Sequence, residues 1–118
     1  MTAITQATPA EIHAGLTSGA ILLVDVREPN EFAAERIPGA LLFPLSTFHA
    51  KAVPAEGRRL VVHCAAGRRS MLAAEQLLAA GHASVVNLHG GIAAWKAEGL
   101  PLIRVDPMTG EVVEHGRC

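Results

Sequence analysis

Two nearly unbroken apolar runs organise the chain. They are "AILLVDV" at 20–26 and "RLVVHC" at 59–64. A strand buried on both faces reads this way, because neither face alternates toward water. "LLF" at 41–43 and "SVVNL" at 84–88 are shorter runs of the same kind and predict two further strands. Between the runs the period lengthens. "TPAE" at 8–11 opens a helix: Thr8 caps it, Pro9 suits its first turn, and Glu11 completes a capping box. Ile12 and Leu16 then share a face, and Gly19 stops the helix. Residues 27–40 read as a loop holding one helical turn, stopped by Pro38 and Gly39. Residues 45–53 read as helical, ended by Pro54. Over 69–81, Met71, Ala74, Leu77 and Leu78 fall on one face, with Gly81 as C-cap. Residues 90–101 predict a short helix between a glycine pair and a Gly-Leu-Pro stop.

Strands that alternate with helices predict an α/β fold, with a central parallel sheet of about five strands and helices on both faces. The end of the chain changes character. "IRV" and "EVV" flank "DPMTG", so 103–118 reads as a tail with a small hairpin, and 1–102 as the domain.

Composition narrows the function. The 118 residues suffice for one domain, and half are hydrophobic, so a core can be buried. The net charge of −1 gives no electrostatic case for nucleic acid or an anionic membrane. Phe32, Phe43, Phe48 and Trp95 are scattered and make no stacking platform. Trp95 reads as core, anchoring its helix to the sheet. The opening residues have no basic start and no apolar stretch, so no secretory signal is expected, and the longest apolar runs are too short to span a membrane. Two cysteines, Cys64 and Cys118, make no disulfide framework; a reducing cytoplasm is the expected location. The six histidines show no ligand spacing, so no metal is expected. Gly90 and Gly91 do not form a dinucleotide fingerprint, and no cofactor is expected.

The chemistry gathers in "VVHCAAGRRSM" at 61–71. Open α/β sheets bind ligands beyond the carboxyl ends of their strands, and Cys64 stands there, just before a helix. Loop amides, the helix N-terminus, Arg68 and Arg69 all favour a thiolate. Ala65, Ala66 and Gly67 are small enough for backbone to approach a bound anion. A lone cysteine at a strand end is commonly a small buried hydrophobe. That alternative leaves the Gly-Arg-Arg-Ser sequel unexplained. His63 should point to the face opposite Cys64.

Three separated motifs, "LLVDVREPNEFAAERIPGALLFPLS", "CAAGRRS" and "GGIAAWKAEGLP", resemble the single-domain rhodaneses, thiosulfate sulfurtransferase-like proteins, over about residues 8–102. The resemblance implies that Cys64 carries a persulfide and that Ala65, Ala66, Gly67, Arg68, Arg69 and Ser70 form its cradle. It implies a double displacement. The Cys64 thiolate takes the outer sulfur of thiosulfate, sulfite leaves, and a thiophilic acceptor such as cyanide or a thiol then removes that sulfur. Arg69 is expected to brace the loop and Arg68 to face the substrate. Asp25 and Arg27 match positions read as structural. Arg36 stands where the family usually has histidine before "IPGA", and keeps a cation at the mouth.

Rival readings share the motif. "HC-x-x-G" also opens the loop of cysteine-dependent phosphatases and arsenate reductases, which place the arginine one position later, with Ser or Thr next. A tetrahedral phosphoryl group needs a wider ring of donors than one sulfur atom, so the shorter loop argues for sulfur. A persulfide carrier serving a protein acceptor is a second alternative. A silent binding module is a third, and such modules commonly lose the cysteine. Cys118 could resolve an oxidised Cys64, or be a terminal thiol without a role.

Overall fold

Ile21–Asp25 forms strand β2, and all five of its residues are buried. The computed structural model, which describes residues 3–54 and 57–115, places it near the centre of a five-stranded sheet. The order is β1–β6–β5–β2–β4, with β1 at Ile4–Ala7, β4 at Leu41–Leu42, β5 at Arg59–His63 and β6 at Val85–Leu88. Every pairing is parallel, as the buried runs predict. Asp25 is level with His63, so the carboxyl ends of β2 and β5 finish together.

Side chains of the central strands separate into two cores. Leu23, Val61, Val86 and Leu88 pack with Ile12 of α1 (Pro9–Ser18) and with Ile92 and Trp95 of α4 (Gly91–Ala97). Leu22, Val24, Val62 and Cys64 pack with Ala73, Ala74 and Leu77 of α3 (Arg68–Ala79). Helices therefore cover both faces, each core fed by alternate residues of the same strands. Full burial of one such aliphatic side chain is worth roughly 1.5–3 kcal/mol, so these contacts and not helix propensity hold α1 and α4 in place. Trp95 is 1% exposed, and its Nε1–H donates to the Pro101 carbonyl at 2.8 Å. It pins the end of α4 as its sequence setting predicts. The Thr8 and Glu11 capping box and the left-handed Gly19 bound α1 as expected.

Four features depart from the sequence pattern. β1 reads "ITQA" with only Ala7 fully buried. An edge strand has one neighbour, and exposed Thr5 and Gln6 leave no apolar run to detect. Residues 45–53 do not form one helix. They form 3-10 turns at Leu45–Thr47 and Ala50–Ala52, with Phe48 and His49 extended between them. Leu45, Phe48 and Ala50 all pack against the α3-side core, which a continuous helix would not allow at that spacing. The buried stripe of α3 is Ser70, Ala73, Ala74 and Leu77, while Met71 and Leu78 are only half-buried. Small alanines let the helix lie close to the sheet. The fourth is a second, antiparallel sheet of β3 (Glu35–Arg36), β7 (Leu102–Val105) and β8 (Val112–His115). β3 follows α2 (Pro29–Ala34) and is too short to show a period. Glu35 fixes it by ion pairs to Lys96 at 3.1 Å and Arg104 at 3.0 Å. The turn between β7 and β8 is closed by the Gly110 N–H donating to the Asp106 carbonyl at 2.7 Å.

Candidate active site

Cys64 follows the last residue of β5 and is 1% exposed. Its carbonyl accepts from the Ile92 N–H at 2.9 Å, and the Ala65 carbonyl accepts from the Ala93 N–H at 3.1 Å. These bonds satisfy two otherwise free donors at the start of α4. They also turn the loop carbonyls toward α4 and leave the following amides to face the sulfur. The Gly67 N–H donates to Cys64 Sγ at 3.0 Å. Gly67 has φ 109°, a left-handed value that a side chain resists, and it is the N-cap of α3. Ser70 Oγ lies 3.4 Å from Sγ.

These contacts decide the acidity of the sulfur. Burial pushes the Cys64 thiol up. Once the sulfur is ionised, hydrogen bonds from the Ser70 hydroxyl and from the Ser70, Gly67 and Ala66 backbone outweigh burial, and they hold the thiol below its ordinary value. The loop backbone favours an anion at Sγ.

α4 approaches the loop closely. Gly91 has φ 61°, and a Cβ there would lie 2.5 Å from the Cys64 carbonyl oxygen and 2.6 Å from that of Ala65. Gly91 therefore serves backbone contact with the nucleophile loop, while a Cβ at Gly90 would meet Ala94 of α4.

The two arginines differ. Arg69 forks onto Glu31 of α2, with N–O distances of 2.7 and 3.0 Å. That hydrogen-bonded pairing holds the Glu31 carboxyl at about 2 against the opposing effect of burial, and raises Arg69 in return. Arg68 is exposed and makes no ion pair among the described residues. Ala65 and Gly67 are half-buried, and Ala66 is exposed. Arg36 lies with its guanidinium 5.3 Å from the Phe32 ring centroid.

Behind the nucleophile sits a buried polar cluster. The Arg27 guanidinium donates to Asp25 from Nε at 3.1 Å and from Nη2 at 2.8 Å, and Nη2 also donates to the Glu35 carbonyl at 2.7 Å. The Arg27 N–H donates to Asp25 Oδ1 at 2.9 Å. His63 Nδ1 is 3.3 Å from the Cys64 carbonyl, and Nε2 is 3.5 Å from Asp25 Oδ2 without a hydrogen-bond partner. Burial pushes the His63 ring down despite the Asp25 charge, so it stays neutral. The approach to Asp25 is then a polar contact, not an ion pair. The imidazole occupies the face away from Sγ, as strand alternation requires.

Three residues here escape the sequence reading. Asn87 of β6 and Gln6 of β1 continue a line of hydrogen bonds from Ser70 to the surface. Asn87 is the one polar residue in "VVNL", and that interruption of a buried strand was the available signal. Glu31 is the third omission, since its link to Arg69 spans 38 positions. Cys118 lies outside the described residues.

Among the described residues no group of three or more His, Cys, Asp or Glu gathers as a metal site, and no helix is long and apolar enough to cross a membrane. The rhodanese-like domain family model matches residues 8–98. An uncharacterised protein of Synechocystis is 44% identical over 86 residues, covering 72% of this chain and 48% of its own length. The chain thus spans about half of that relative. A protein of Allochromatium vinosum named sulfurtransferase is 41% identical over 85 residues, covering 70% of this chain and 78% of its own. Among solved structures, a rhodanese-related protein of Thermoplasma volcanium superposes with a TM-score of 0.73 at 30% identity, covering 83% of this chain and 96% of that one. A Rhodopseudomonas palustris protein of unknown function, described as a "possible tyrosine phosphatase", superposes with a TM-score of 0.69 at 29% identity, covering 81% and 82%. With the family matched across most of its length and the fold shared, this chain belongs to the rhodanese-like domain family.

Proposed function

We propose that this protein is a sulfurtransferase that moves the outer sulfur of thiosulfate, or of a related sulfane donor, to a thiophilic acceptor through a persulfide on Cys64. One observation carries the reading: the Cys64 sulfur lies in a short loop with the Gly67 N–H donating to it at 3.0 Å and Ser70 Oγ 3.4 Å away, and hydrogen bonding there holds the thiol below its ordinary value. In the first half-reaction the thiolate attacks the outer sulfur of the donor. The donor S–S bond breaks, and sulfite leaves with its electron pair. The terminal sulfur of the new persulfide carries the negative charge toward the loop amides. In the second half, cyanide or a thiolate attacks that terminal sulfur, the S–S bond breaks, and the Cys64 thiolate returns. No metal or organic cofactor is required by these steps. Arg68, exposed and without an ion pair among the described residues, draws the anionic donor, because Glu31 neutralises Arg69. A reducing compartment such as the cytoplasm suits an enzyme that cycles through a free thiolate.

A protein acceptor is the second reading. Leu72 is 50% exposed and stands one turn from exposed Arg68 on α3, which gives a mixed apolar and cationic surface close to the loop. The phosphatase alternative has a structural neighbour but a loop with Arg69 one position too early.

Initial rates of thiocyanate formation, measured with thiosulfate and cyanide each varied, test the proposal. Parallel double-reciprocal lines are expected, and the donor half-reaction should rise with pH and level off below the ordinary thiol range of about 8.5. Absence of thiocyanate, with turnover of an aryl phosphate instead, overturns it.

A further inference from the structure

The sulfur of Cys64 stands at one end of a chain of side-chain hydrogen bonds that crosses the sheet edge. Its S–H donates to Ser70 Oγ at 3.4 Å, and the Ser70 hydroxyl donates to Asn87 Oδ1 at 2.6 Å. Asn87 Nδ2 donates to Gln6 Oε1 at 2.9 Å, and Gln6 Nε2 reaches Met71 Sδ at 3.5 Å. Gln6 and Asn87 are register partners on β1 and β6. Ser70 is fully buried and Asn87 is 3% exposed, so water does not stand in for either partner. Gln6 is exposed.

Every bond in this chain points away from the sulfur. That arrangement suits a thiol and fails for an anion, which has no proton to give. The Ser70 hydroxyl has one proton. If it turns to the thiolate, Ser70 Oγ and Asn87 Oδ1 face each other 2.6 Å apart as two acceptors, buried. The conflict is removed by turning the Asn87 amide so that Nδ2 donates to Ser70 Oγ. Oδ1 then faces Gln6, which must turn its own amide to donate in return. The outer end of Gln6 loses only a weak bond to a thioether sulfur.

We propose that the Gln6–Asn87–Ser70 chain reverses its direction when Cys64 becomes an anion, so that Asn87 and Gln6 act as positioning residues that aim the Ser70 hydroxyl at the sulfur. Reversed, the chain runs from Gln6 to Asn87 to Ser70 to the thiolate, and every donor points inward. The persulfide anion calls for the same direction. The inference rests on Cys64 being the ionising nucleophile of the proposed function. Its readout is alkylation and not sulfur transfer, so the two readings fail separately.

Gln6→Glu and Gln6→Lys test it, each in a Cys118→Ser background so that Cys64 alone reports. Glutamate only accepts, and holds the chain in its outward direction; lysine only donates, and favours the inward one. The charged groups around Cys64 are exposed Arg68 at the start of α3, Arg69 with Glu31, and Arg27 with Asp25 behind neutral His63. Neither variant alters them. The rate of Cys64 alkylation by neutral iodoacetamide is measured against pH. On the acid side of the profile, Gln6→Glu should react about threefold to tenfold more slowly, and Gln6→Lys faster by a similar factor. Both shifts should persist at about 1 M salt, where exposed charges are screened. A merely structural role for Gln6 would lower the melting temperature without moving this profile. An unmoved profile in either variant, or shifts that vanish at high salt, overturns the proposal.

Discussion

Replacing Cys64 with serine is expected to abolish sulfur loading and to lower thiocyanate formation by at least about 1000-fold. A serine hydroxyl cannot form the S–S bond that carries the transferred atom. It also stays protonated where the Cys64 thiol, held below its ordinary value, ionises. The variant should remain folded. Cys64 contributes a small side chain to the α3-side core, and a serine Oγ can still accept from the Gly67 N–H that now meets Sγ. A melting temperature within a few degrees of the parent therefore separates lost chemistry from lost structure. Cys118→Ser should retain full activity. Substantial turnover by Cys64→Ser would move the chemistry to another residue.

Asp25→Ala is expected to be the most destabilising single change near the site. Asp25 is 0% exposed and Arg27 only 4%, and they meet through two guanidinium nitrogens. Such a pair adds little over an apolar replacement of both partners, because each charge is costly to bury. Removing only the carboxylate is different. It leaves the guanidinium buried with the Glu35 carbonyl as its remaining partner and also frees the Arg27 N–H. The cost is about 3–5 kcal/mol. Against a total stability of roughly 5–15 kcal/mol, that is a large fraction, and the melting temperature should fall by more than about 10 °C. Thermal unfolding monitored by circular dichroism reads the effect. A fall of under about 3 °C would show that Arg27 finds water or another acceptor, and that the cluster does not tie β2 to β3.

What the sequence revealed depended on how many neighbours each element has. β2 and β5 were legible because strands covered on both faces must be apolar throughout. β1 was not, because an edge strand satisfies its fold with one neighbour and one buried residue. β3 is two residues long, and its pairing to β7 joins positions nearly seventy residues apart. Local pattern carries no record of such a partner. The nucleophile loop was legible because it is contiguous, with Cys64, Gly67 and Ser70 meeting through local backbone. Its supports come from elsewhere. Glu31 reaches Arg69 from α2, Ile92 and Ala93 clamp the loop from α4, and Asn87 of β6 meets Ser70 with Gln6 of the edge strand β1 behind it. Each is a common polar residue or a backbone group until the fold assembles it. The tight glycine pair at 90–91 is the exception, since it advertises close backbone contact without saying with what.

Intact mass after incubation with thiosulfate, followed by peptide mapping and a cyanide chase, tests the central claim most directly. The account predicts a gain of one sulfur on the peptide holding Cys64, fully removed by cyanide with an equal amount of thiocyanate formed. The chase is needed because a sulfinic acid adds nearly the same mass and resists cyanide. No mass gain, or a gain that cyanide leaves in place, would contradict a persulfide on Cys64 and with it the sulfurtransferase reading.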